Sequence, residues 1–171
     1  MNKLPLEPNL TFQQKIHISI FIFFGFAVIT ALLGTNLDSS KLFYLAISLL
    51  ATSFFLAVFF SKNGLVYEGE NIYTGVFIGK ILLLKNRINL SDKSFCSILK
   101  FRKSQKYSFF TAARPDLAHE FNAFDIYLLN DRHTKKLRIL SLKKESNSKI
   151  AVQFIEDNTN LKYEIYSPNF K

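Results

Sequence analysis

Between Ile16 and Asn36 the chain carries no Asp, Glu, Lys or Arg, and the stretch from Ile18 to Ile29 offers water no polar face beyond the hydroxyl of Ser19. A surface helix of a soluble domain keeps a polar stripe, and this run has none. A second uncharged run extends from Leu42 to Ser61. Each run is about 20 residues long, which at 1.5 Å per residue matches a hydrocarbon core about 30 Å thick. Each holds 12 residues of the Leu, Ile, Val and Phe type, so insertion into lipid gains on the order of 4 to 7 kcal/mol per run before polar terms. Two membrane-spanning helices are expected, at about 16–36 and 42–61. The roughly 110 residues from Lys62 onward are too few to enclose two helices that lack polar faces. The first run also exceeds a signal-peptide core, and a second span follows it at once.

The connection from Gly34 to Lys41 is short enough to make the spans antiparallel neighbours, a transmembrane hairpin with both chain ends on one side. Lys3 and Lys15 precede the first span, Lys62 and Lys80 follow the second, and Lys41 stands alone in the loop. That bias places both termini in the cytoplasm. The expected division is a cytoplasmic N-terminal tail over 1–15, the hairpin over 16–61 and a β-rich domain over 62–171. Ala27 with Ala31, and Ser53 with Ala57, suit close helix approach inside the hairpin. No ionisable residue sits mid-span, so nothing marks an ion or proton path.

From Lys62 the pattern changes to short apolar stretches between turn residues such as Asn63-Gly64, Glu68-Gly69-Glu70-Asn71 and Lys85-Asn86-Arg87, the punctuation of strands and hairpins. Strands are expected at Leu65–Tyr67, Ile72–Val76, Ile81–Leu84, Phe95–Arg102 and Tyr107–Ala113. Phe124–Leu128 and Lys136–Ile139 alternate with period two and read as an antiparallel hairpin. Ile150, Ala151, Phe154 and Ile155 form one stripe of a helix at about 147–158, which provides a cover for the apolar face of a sheet.

This arrangement resembles small bacterial membrane proteins in which two transmembrane helices precede a pleckstrin-homology-like (PH-like) domain. The resemblance is carried by the apolar hairpin, the segment Gly75-Val76-Phe77-Ile78-Gly79-Lys80, the hairpin from Phe124 to Ile139 and the terminal helix. It implies an α+β membrane protein with an antiparallel PH-like β-barrel or sheet closed by a C-terminal helix. It also implies a non-enzymatic module of the bacterial inner (cell) membrane.

The single cysteine, Cys96, permits no internal disulfide, and three scattered histidines supply no metal site of their own. Gly75 to Lys80 is one residue short of a phosphate-binding loop and lacks its hydroxyl, so a tight turn or bulge between two strands is expected there. Cys96 in a strand reads as a small inert side chain, and His119 and His133 read as surface histidines. No catalytic residue, cofactor or metal is expected. The feature that stands out is charge: from Lys62 onward there are 19 basic and 11 acidic residues. They concentrate in Lys100–Lys106, Lys135–Arg138 and Lys143-Lys144. Lys100, Arg102, Lys103 and Lys106 are the candidate contacts to anionic lipid headgroups, each worth about 1 kcal/mol near a charged bilayer surface. The same charges would suit nucleic acid, but no recognition helix or stacking signature accompanies them. The expected function is a membrane-anchored module that holds a protein partner or an anionic lipid patch at the cytoplasmic face. The alternative is a subunit or assembly factor of a larger membrane complex, or of a homo-oligomer, with the hairpin as interface.

Overall fold

In the computed structural model, residues 1–35, 38–105 and 119–169 are described. The chain opens with strand β1 (Asn2–Pro8), passes through helices α1 (Phe12–Leu33) and α2 (Ser39–Phe59), and returns to β2 (Ser61–Glu68). There follow β3 (Asn71–Ile78), β4 (Ile81–Arg87), β5 (Phe95–Gln105), β6 (His119–Leu129), β7 (Lys136–Leu142), helix α3 (Glu145–Asn158) and the two-residue β8 (Lys162–Tyr163).

Residues 1–15 are thus more than a tail. Strand β1 pairs antiparallel with β2, Leu4 lying opposite Leu65 and Pro5 opposite Gly64. A strand with two prolines is tolerated because β1 is the edge of its sheet, where a missing N–H breaks no inner ladder. The backbones approach so closely that a Cβ on Gly64 would stand 2.1 Å from the Leu4 carbonyl oxygen. The hairpin α1–α2 is therefore inserted between two neighbouring strands of one sheet.

Helix α1 starts four residues before the expected span because Thr11 and Gln14 form a capping box, Gln14 N–H donating to Thr11 Oγ1 and Thr11 N–H to Gln14 Oε1. Helix α2 is capped by the Asp38 carboxylate, which accepts from Lys41 N–H at 2.8 Å. Both helices are long and apolar enough to cross a membrane, and only 6% of each hydropathic window is buried within the chain. The helices meet where Gly25 leaves room for the Thr52 hydroxyl and Phe21 stacks on Phe55, ring centroids 5.3 Å apart. Of the small residues expected at the helix contact, Ala27, Ala31 and Ser53 are exposed and Ala57 is half-buried.

Of the expected barrel or sheet, the described residues form open sheets and no closed barrel. The described strands make two four-stranded sheets, ordered β1-β2-β3-β4 and β7-β6-β5-β8. Pairing is antiparallel except for the short β5–β8 contact. The core lies between the sheets and α3. Leu65, Ile72 and Ile88 pack there with Cys96, Ile126, Leu128, Leu140 and Leu142, and α3 contributes Ala151, Val152 and Ile155. The Gly75–Lys80 segment is the end of β3 and a tight turn, with Gly79 at φ +59°, the left-handed backbone that a two-residue hairpin needs at its first position. The expected strand at Tyr107–Ala113 lies outside the described residues.

Candidate functional site

One end of the β domain is built around the feet of the two helices. In the first sheet, α2 runs directly into β2, and Ser61 pairs with Ile78 at the end of β3, which in turn pairs with Ile81 at the start of β4. The feet are pinned together: Asn9 N–H donates to the Ser61 carbonyl at 3.1 Å, and Asn9 Nδ2 donates to Ser61 Oγ. The Lys15 ammonium lies 5.2 Å from the Phe59 ring centroid, across the base of the hairpin.

In the second sheet the same end is fixed by Glu7. This carboxylate is buried, and it accepts from Lys143 N–H at 2.6 Å, Lys144 N–H at 2.9 Å and Asn147 Nδ2 at 2.8 Å. Lys144 is the N-cap of α3 but makes no side-chain cap bond. Glu7, from a strand remote in sequence, thus takes the N-cap N–H, the N–H before it and a side-chain amide of the first turn, and its charge complements the helix dipole. The Lys143 ammonium donates to the Leu10 carbonyl at 3.0 Å, just before α1. Burial pushes the pKa of Lys143 below the ordinary lysine value; the Glu7 carboxylate opposes that shift, and the Lys15 ammonium adds to it.

Register then carries the sequence candidates to this end. Leu142, next to Lys143, pairs with Phe124, and Phe124 pairs with Lys100. Lys100 is exposed, with its ammonium 5.9 Å from the Phe124 ring centroid, and its charge helps lower the pKa of Glu145, after the larger effect of the Lys149 hydrogen bond. Arg102, opposite Asn122, is exposed and shares the Lys100 face of β5, two residues closer to the strand end. Lys103 pairs with Phe121 through the backbone; its side chain, and all of Lys106, lie outside the described residues.

Sequence runs alone do not show that Lys15, Lys62, Lys80, Lys143 and Lys144 belong to the same end as Lys100, Arg102 and Lys103. Of the acids there, Glu7 is consumed in capping α3 and Glu145 pairs with Lys149 at 2.8 Å. Glu120 lies in β6, with its side chain outside the described residues. Among the described residues, Lys100, Arg102, Lys143 and Lys144 are exposed toward this end.

The opposite end has a different character. A cleft of about 670 Å³ is lined there by Tyr67, Glu70, Leu90, Lys93 and Asn160. His133, expected on the surface, is instead buried, in a turn at φ +55°. Its Nδ1 accepts from Ser167 N–H at 3.0 Å, which leaves the proton on Nε2, 3.4 Å from the Glu164 carboxylate. The ring stacks on Tyr166 and meets Phe95 edge-on. It fastens the C-terminal segment to the β6–β7 turn and lines none of the described clefts. Burial pushes the Cys96 thiol up to about 12, with Glu156 adding to the shift. Among the described residues no three His, Cys, Asp or Glu side chains gather as a metal-ligand set.

By its elements the chain is an α+β protein in which two apolar helices precede most of a two-sheet domain with a C-terminal helix. Comparison with family models, with curated proteins and with solved structures gives no match.

Proposed function

We propose that this chain is an integral membrane protein whose PH-like β domain is held against the anionic cytoplasmic surface of the bilayer as a non-enzymatic interaction module. The observation that carries this reading is the gathering of basic side chains at the end of the domain where both helices enter it, fixed by Glu7 and Lys143. Headgroups within a Debye length of about 8–10 Å attract such a surface. The exposed apolar side chains of α1 and α2, Phe23 at 76% and Leu50 at 72%, are covered by lipid in this reading.

The test uses the full chain in nanodiscs, with a spin label at Asn122→Cys, opposite Arg102. Anionic lipid lowers the accessibility of this label to a water-soluble relaxant relative to neutral lipid. The difference disappears in Lys100→Gln/Arg102→Gln and in molar salt. Indifference of the label to lipid charge would falsify the lipid reading. The outward position of Ala27, Ala31 and Ser53 favours a second reading, in which the hairpin packs against helices of a larger complex. Co-purification of a partner after gentle solubilisation, abolished by Ala27→Leu/Ala31→Leu, supports that alternative.

A further inference from the structure

Strand β4 is an outer strand of its sheet and carries a sharp lengthwise division. Its first four residues are Ile81-Leu82-Leu83-Leu84, with Ile81 and Leu84 each 68% exposed and Leu83 49% exposed. Its last three are Lys85-Asn86-Arg87, and these are engaged: Lys85 pairs with Glu68 and lies 5.0 Å from the Tyr73 ring centroid, while Arg87 donates to Asn71 Oδ1. The apolar half is the half next to the helix feet, because Ile81 pairs with Ile78 and Ile78 with Ser61. A bulge opposite Val76 and Phe77 adds Leu83 as an extra residue and sets Ile81 and Leu84 on one face.

We propose that the β3–β4 tip is a second membrane contact, in which Ile81, Leu83 and Leu84 seat in the lipid interface and Lys80 meets lipid phosphates. The proposal rests on the reading of α1 and α2 as membrane spans. Their 22 and 21 residues give lengths of about 33 and 32 Å, close to the hydrocarbon thickness, so Ser61 enters the headgroup layer, which is about 5–7 Å deep on each side. The tip, one strand away from Ser61, stands at that level. A peptide adding a strand to this edge would be read along its whole length by alternating side-chain pockets. The division of β4 into an apolar near half and a charged far half fits a planar boundary between oil and water instead.

Because Cys96 is buried, single cysteines placed elsewhere accept a reporter selectively. An environment-sensitive fluorophore is attached at Ile81→Cys, Leu84→Cys, Phe23→Cys or Glu70→Cys of the full chain, in neutral phosphatidylcholine nanodiscs with doxyl-labelled acyl chains. Phe23, within α1, is quenched; Glu70, at the far turn of the same sheet, is not. Ile81 and Leu84 show blue-shifted emission and quenching at least half that of Phe23. If they behave like Glu70 while Phe23 is quenched, the proposal is overturned and the spanning helices stand. If Phe23 also escapes quenching, the spans fail and the proposal falls with them. A blue shift at Leu84 without lipid quenching assigns the strand to a protein surface and likewise overturns it.

Discussion

At the scale of single residues, Glu7 joins β1 to the start of α3. Its buried carboxylate answers two backbone donors and one amide donor at the start of α3, in partly buried bonds. Leaving buried donors unpaired costs about 1–3 kcal/mol, so Glu7→Ala is expected to destabilise the domain by about 2–3 kcal/mol. Glu7→Gln retains one carbonyl acceptor and loses less. Denaturant titration of the two variants in one detergent measures the order. Cys96 gives a second prediction, in pH. Its pKa is raised from 9.0 to about 12, so the native state holds the proton that the unfolded state releases first. The corresponding stability is complete below pH 9 and is lost as pH rises toward 12. Cys96→Ala begins less stable at neutral pH, because a small cavity replaces the sulfur, and declines less steeply above pH 9. At pH 8 the thiolate fraction is on the order of 10⁻⁴, so a thiol reagent modifies the chain only after unfolding.

Among the elements, the two long apolar helices were readable because an uncharged run of about 20 residues without a polar face favours one continuous helix. Their boundaries were less readable: the Thr11–Gln14 box extends α1 backwards, and Ser61 belongs to β2 rather than to the second span. The β6–β7 hairpin and α3 showed themselves through local periodicity. Strand β1 did not, since its partner lies beyond the hairpin. His133 was misread because a polar turn at positive φ directs its ring inward. Of the site, the charge runs were plain in the sequence, but strand register, which one sequence does not display, sorts them: Lys100 and Lys143 lie toward the end at the helix feet, whereas Lys136, opposite Leu129, lies at the other end. A consequence at this scale concerns truncation. A fragment of residues 62–171 lacks β1, which bares the edge of β2 and removes Glu7 from α3. It is expected to be less stable than the full chain and prone to edge-to-edge association. Fusing residues 1–11 to its N-terminus through a flexible linker restores a monomer, as size-exclusion chromatography in dilute detergent reports.

For the molecule as a whole, the domain is fastened to its helices at two feet, through β1 and through β2, with Asn9–Ser61 and Lys143–Leu10 bonds across the base. A domain hung from one flexible linker samples every orientation to the membrane, whereas two strands of one sheet define a fixed face. Under the proposed function that face meets the bilayer, so lipid charge is the variable to examine. Relaxing one foot, by inserting six Gly/Ser residues between Phe60 and Ser61, is expected to weaken the lipid-charge response of the Asn122 label while leaving α1 and α2 inserted.

The interleaving of strand, hairpin and strand also sets an order of events during synthesis. Between Pro8 and Lys62 lie the 53 residues of the hairpin and its flanks, so at about 5–20 residues per second β1 leaves the ribosome roughly 3–10 s before its partner exists. The first sheet can close only once the intervening segment has been translated, and its assembly is thereby timed by synthesis of that segment.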